Sequence, residues 1–331
     1  AKYGTPEFTY SDAVDGTYTK TVPTEAGTYY VKATVEGTED YTQLVSAAKE
    51  FVISPKTLTA ANISAIPDQT YQSGAAVKPD VEIKDGSKVL KLGTDYTVAY
   101  ENNINASKAA KVKVTLMNKN YRGSLEKTFT ILPKTLTADN VTKIGPQEYR
   151  GGTEICPAIQ LKDGNIVLRQ RTDYNLSYAN NVNVSDKAIV RVKIISSNYQ
   201  GEFDKYFTIS PRALTADNMS DIADQIYTGS EIKPAVEVTF TKYTNVVLKA
   251  GTDYTVTYTN NVNASDQAVA KVKITSPSYK GEFEKTFKIL PKTLTNDNIS
   301  AIADQTYTGS EIKPAIEVKD GDKVLKLGTD Y

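Results

Sequence analysis

Apolar and polar residues alternate along much of the chain with a period of two. In Ala270-Lys271-Val272-Lys273-Ile274-Thr275 the apolar side chains fall on one face and the lysines on the other. Residues 110–114 and 190–194 repeat the pattern, and Phe283, Phe287 and Ile289 share one side of their segment. Tyr254-Thr255-Val256-Thr257-Tyr258 opposes a Tyr/Val face to a threonine face. Helical periodicity is weak throughout, while Gly, Asn, Asp and Pro punctuate the segments. In one stretch the pattern predicts strands near 225–227, 235–238, 246–248, 254–259, 268–275 and 281–289.

The alternating segments recur. Lys56-Thr57-Leu58-Thr59 returns at Lys134, Arg212 and Lys292, offsets of 78, 78 and 80 residues, each copy following a proline. A repeat of this length is a whole small domain and not a solenoid unit. Inside each copy come Tyr71-Gln72-Ser73-Gly74, Tyr149-Arg150-Gly151-Gly152, Tyr227-Thr228-Gly229-Ser230 and Tyr307-Thr308-Gly309-Ser310. Gly93-Thr94-Asp95-Tyr96 and its counterparts follow. The third copy carries three extra residues between Pro234 and Gly251, where the others have an Asp-Gly hairpin signal such as Lys84-Asp85-Gly86. An insertion there predicts a longer surface loop that alters little else.

The expected fold is all-β: tandem immunoglobulin-like antiparallel β-sandwich domains in an elongated array. The predicted domains are a partial sandwich at 1–55, repeats at 56–133, 134–211 and 212–291, and a partial fourth repeat at 292–331. The opening stretch holds two clear strands, at 27–35 and 49–53. Both ends read as cut inside a domain. Proline in linkers such as Ile131-Leu132-Pro133-Lys134 predicts semi-rigid connections. Each unit would be on the order of 35–40 Å long.

Composition narrows the function. Basic and acidic residues balance at 39 each, so no basic field exists to collect nucleic acid. No run of 18 apolar residues predicts a membrane span. Histidine is absent, which removes the commonest general base and metal ligand. Tryptophan is absent as well, but tyrosine numbers 22 and offers ring faces in its place. The single cysteine, Cys156, stands where other copies have lysine, which predicts a surface position and no intrachain disulfide. No catalytic residue, cofactor site or metal site is predicted.

Three constellations invite a ligand. The Asp-Tyr pairs Asp95-Tyr96, Asp173-Tyr174 and Asp253-Tyr254 combine a ring face with a hydroxyl acceptor and are the candidate ligand-binding residues. The other reading is a strand start with a buried ring. Asp217-Asn218 and its counterparts offer oxygen ligands for Ca²⁺, or turn and capping chemistry. Asn102-Asn103, Asn180-Asn181 and Asn260-Asn261 fit a left-handed tight turn.

The segments Phe129 to Thr137, Tyr227 to Pro234 and Asp253 to Asn261 resemble the tandem bacterial Ig-like, MBG-related repeats of large Firmicutes cell-surface proteins. The resemblance implies an extracellular location, on a bacterial surface or secreted. It implies a non-catalytic stalk that projects an adhesive or catalytic head, with cell-wall attachment through regions outside this stretch. The alternatives are repeats that themselves bind host glycans or matrix and other extracellular proteins, or accessory modules of a secreted hydrolase. That family carries no shared catalytic residues.

Overall fold

The computed structural model describes residues 5–331. Its contacts gather into two compact units. One comprises Ala1–Thr142, Ile159–Ser177 and Arg191–Asp204; the other comprises Lys143–Ala158, Tyr178–Val190 and Lys205–Tyr331. The division runs through the second repeat. Among the described residues every regular element is a strand, apart from three-residue 3₁₀ turns such as Ala60–Asn62.

The first unit opens with β1 (Glu7–Ser11), β2 (Gly27–Val35), β3 (Leu44–Val45) and β4 (Lys49–Ile53). All three other strands pair antiparallel with β2. Phe51 lies opposite Tyr29 with ring centroids 5.9 Å apart, and Tyr10 meets the same ring at 6.1 Å. The first repeat follows with β5 (Lys56–Thr57), β6 (Gln69–Thr70), β7 (Lys84–Asp85), β8 (Lys88–Val89), β9 (Tyr96–Glu101), β10 (Ser107–Leu116), β11 (Tyr121–Arg122) and β12 (Leu125–Leu132). One sheet has the order β6-β12-β10-β9, antiparallel except for the parallel β6 edge. The second layer consists of the parallel ribbon β5/β11, the hairpin β7/β8 and extended chain.

The alternation explains the core. Along β10, Ala110, Val112 and Val114 are buried, and the two valines cluster with Leu58, Ile83 and Leu125. Lys111 and Lys113 point outward and pair with Glu126 at 2.8 Å and Glu101 at 2.6 Å. Water screens such exposed pairs and leaves them little net effect, so the buried apolar face dominates stability.

In the second unit the third repeat has the same layout. Strands Gln225–Ile226, Glu282–Leu290, Ser265–Ile274 and Tyr254–Thr259 form the sheet in that order. Arg212–Ala213 with Tyr279–Lys280 makes the ribbon, and Thr239–Phe240 with Val246–Val247 the hairpin. These repeats are immunoglobulin-like two-layer modules.

Three expectations change in detail. Residues 235–237 form no ladder, and the strand begins at Thr239. Tyrosine hydroxyls take over there: Tyr254 donates to the Val236 carbonyl and Tyr258 to that of Pro234, both at 2.6 Å. The strand predicted over 281–289 begins at Glu282, because Gly281 (φ 149°) breaks the run after Lys280. Finally, little linker separates the first two repeats. One residue, Pro133, lies between β12 and the next strand, Lys134–Thr135.

Candidate functional site: the repeat junctions

The candidate ligand residues are committed to the fold. Tyr96, Tyr174 and Tyr254 are 2–3% exposed. The Tyr96 hydroxyl donates to the Val81 carbonyl at 2.6 Å. Asp95 accepts from the Lys91 amide at 2.7 Å and the Asn118 side chain at 2.7 Å; these two bonds hold its carboxyl below the usual range. Asp173 and Asp253 accept from the amides of Arg169 and Lys249 at 2.8 and 2.9 Å. Each aspartate thus closes the turn that leads into its strand. The Asn pairs divide their work. Asn102, Asn180 and Asn260 take φ near 50–55° (53°, 52° and 55°), and the next asparagine is buried. Asn103 and Asn261 donate to the carbonyls of Val77 at 2.8 Å and Ile232 at 3.0 Å. Asn218 lies in a capping box with Thr215 and donates to the Thr239 carbonyl at 3.0 Å. Cys156 is exposed.

The side chains that act together lie where one repeat meets the next. In the first unit, Tyr71 stands edge-on to Tyr199, centroids 5.2 Å apart at 84°. Ser73 (φ 52°) turns its hydroxyl onto Asp163, which also accepts from Lys134 at 2.6 Å and Tyr199 at 3.1 Å. Burial pushes the Asp163 carboxyl up, but the bonds from Lys134, Ser73 and Tyr199 outweigh it and the net shift is downward. Asn198 completes the clasp. Its carbonyl oxygen accepts the Ala106 amide at 2.8 Å and its amide donates to Asn105 at 3.0 Å.

In the second unit the corresponding contact has different chemistry. Tyr149 meets Tyr279 edge-on at 5.3 Å and packs against the third repeat's core. The Lys/Asp pair is replaced by Arg212 and Phe240, the guanidinium lying 5.0 Å from the ring centroid. Arg212 turns to Glu148 instead, at 3.2 Å. The three-residue insertion joins in: Thr244 donates to the Gly151 carbonyl at 3.0 Å, and Tyr243 lies under Arg150 and Arg212, each 5.3 Å away. The insertion is therefore a surface loop, as expected, but it also builds the junction. The paired change of Lys to Arg and Asp to Phe was the signal in the sequence that could have revealed this.

The exchange leaves a trace. Tyr279 hydroxyl is buried without a hydrogen-bond partner, and burial pushes its pKa up to about 12. In Tyr199 the same atom serves Asp163. Tyr199→Phe is expected to cost about 2 kcal/mol, the loss of a hydrogen bond to a charged group. Tyr279→Phe is expected to be neutral or to stabilise by up to about 1 kcal/mol, since it removes an unsatisfied polar atom. Denaturation of the two variants, read by exchange in the second and third repeats, checks the contrast. Equal losses would contradict it.

No family model matches the chain, and no curated relative matches it. Among solved structures, the chain is similar to three immunoglobulin domains of titin (I67–I69, an E-to-A variant). The TM-score is 0.23 at 10% identity, over 72% of this chain and 97% of that one. It is also similar to immunoglobulin domains 1–5 of Sidekick-1, with TM-score 0.20, 10% identity, and 87% and 74% coverage. Both are serial immunoglobulin domains, and no residue role is carried over from either.

Proposed function

We propose that this chain is a non-catalytic spacer from a bacterial cell-surface or secreted protein, and that it carries a functional head away from an anchor. The junction chemistry carries this reading. Tyr71, Ser73, Asp163, Lys134 and Tyr199 join one repeat to the next by directed contacts, and only Pro133 separates the flanking strands. A spacer needs resistance to bending at its joints, and buried, hydrogen-bonded joints supply it. The resemblance to tandem surface repeats points the same way. The recurring chemistry of the modules, namely Asp95 closing a turn and Tyr96 filling the core, serves stability and leaves the projecting task to their number.

Small-angle scattering tests the reading. A compact chain of 331 residues would have a radius of gyration of about 20 Å. The spacer reading expects roughly twice that, from domains on the order of 35–40 Å set in series. A value near 20 Å would refute it.

A further inference from the structure

We propose that Arg150, Arg212 and Lys242, gathered around Tyr243 in the second unit, form a binding site for a sugar chain bearing sulfate or carboxylate groups. All three cations lie close to one ring. The guanidinium carbons of Arg150 and Arg212 are each 5.3 Å from the Tyr243 ring centroid, and the Lys242 ammonium nitrogen is 5.6 Å from it. Like charges repel, and acids close by would relieve the repulsion. Glu148 supplies one, 3.2 Å from Arg212. Among the described residues neither Arg150 nor Lys242 forms a salt bridge, so two positive charges are left unanswered.

The joint between the first two repeats shows how little charge a joint requires. There Lys134 is answered by Asp163. Gln72 stands in the place of Arg150, and the hairpin tip is Gly164-Asn165, with no charge. The joint at Arg212 adds two cations and gives up the aspartate for Phe240. Tyrosine pairs of the same edge-on geometry pack both joints, so packing alone does not call for the extra charge.

The site is held in place before any ligand arrives. Thr244 ties the loop to the Gly151 carbonyl at 3.0 Å, and the Phe240 ring lies 6.1 Å from that of Tyr243. Arg212, its side chain 13% exposed, backs both rings from within. Lys242 and Tyr243 are exposed. A guanidinium fork matches a planar carboxylate, and its parallel donors also suit sulfate-type oxyanions.

The tip chemistry selects a sugar. Thr241-Lys242-Tyr243-Thr244-Asn245 offers hydroxyl, ammonium, phenol and amide groups and no aliphatic side chain. These donors and acceptors suit a hydroxyl-rich ligand, whereas a peptide needs an apolar pocket for its anchor. Nucleic acid is disfavoured, because 39 basic and 39 acidic residues leave no extended basic stripe. The site adds a binding task to the chain and does not rest on the spacer reading.

Titration calorimetry of the whole chain at low ionic strength tests it, with a heparin-derived hexasaccharide as the sulfated probe and hexagalacturonate as the carboxylated one. An open site with few charged contacts implies a dissociation constant on the order of 0.1–1 mM for at least one of them. Arg150→Gln and Lys242→Gln are each expected to weaken that binding about fivefold. Lys242 is exposed, so its variant keeps the test valid if Arg150→Gln disturbs the joint. Lys273→Gln, on the outward face of the same repeat's sheet, is expected to change nothing. Failure of both sugars to bind at millimolar concentration, or equal weakening by Lys273→Gln, would overturn the proposal. So would inorganic sulfate, hexaglutamate or an oligodeoxythymidylate binding as tightly as the sugars.

Discussion

Gly281→Ala is expected to destabilise the third repeat by about 3 kcal/mol, among the largest effects of any single methyl group in this chain. Two causes add. Gly281 holds φ 149°, where a side chain is strained, at a cost of about 1–3 kcal/mol. A Cβ built there would also lie 2.6 Å from the Leu214 carbonyl oxygen. That carbonyl cannot retreat freely, because the Leu214 amide is bound to Lys280 at 2.9 Å and its side chain is in the core. Gly201 and Gly123 occupy the same place against Leu136 and Leu58. The recurring Tyr-x-Gly therefore exists to let the ribbon lie against the opening Lys-Thr-Leu-Thr segment. Gly86→Ala is the control. It also has positive φ, at 60°, but nothing within 4 Å, and about 1 kcal/mol is expected. Chemical denaturation followed by residue-resolved exchange separates the two, and equal losses would show that strain alone acts.

Asp163→Ala is expected to cost about 3 kcal/mol and to loosen the first junction selectively. Removing one partner of a buried pair strands the others, here Lys134, Ser73 and Tyr199. Lys134 keeps a path to water, which holds the loss near the lower end of the range for buried pairs. The pH dependence has a definite sign. The folded-state pKa of Asp163 lies below its unfolded value of about 3.9. Its contribution is therefore fully present above that value and is lost as pH falls through the lower folded pKa. Wild-type chain should lose protection at the first junction below about pH 4, and Asp163→Ala should remove that acid limb. At the other junction Phe240 stands in the aspartate's place, so this acid limb is missing there.

The sheet strands were legible because their alternation is strong. Ala270, Val272 and Ile274 read as one face, and the structure buries the first two completely and the third in part. The 235–238 segment misled because an extended chain held by tyrosine hydroxyls has the same composition as a laddered strand. Asp95-Tyr96 drew attention as a pair, yet one member closes a turn and the other fills the core, which adjacency in sequence cannot distinguish. The junction was the least legible part. Asp163 meets Lys134 across 29 positions and Ser73 across 90, and each looks like an ordinary surface residue by itself. Only the concerted change to Arg212 and Phe240 exposes the relation.

Hydrogen exchange on the whole chain with Tyr71→Ala decides whether neighbouring repeats are docked. Tyr71 belongs to the first repeat, yet its ring rests on Tyr199 of the second. An aromatic pair of this kind contributes about 1 kcal/mol beyond the ring's area burial, so truncating the buried Tyr71 costs at least roughly fivefold in an opening equilibrium. The amides of Lys134 and Leu136, which donate to the Asn198 and Gln200 carbonyls, should therefore exchange at least about fivefold faster in the variant, while the sheet amides of the third repeat stay unchanged. Unaltered exchange at Lys134 and Leu136 would mean that the repeats are independent beads, and would contradict docking.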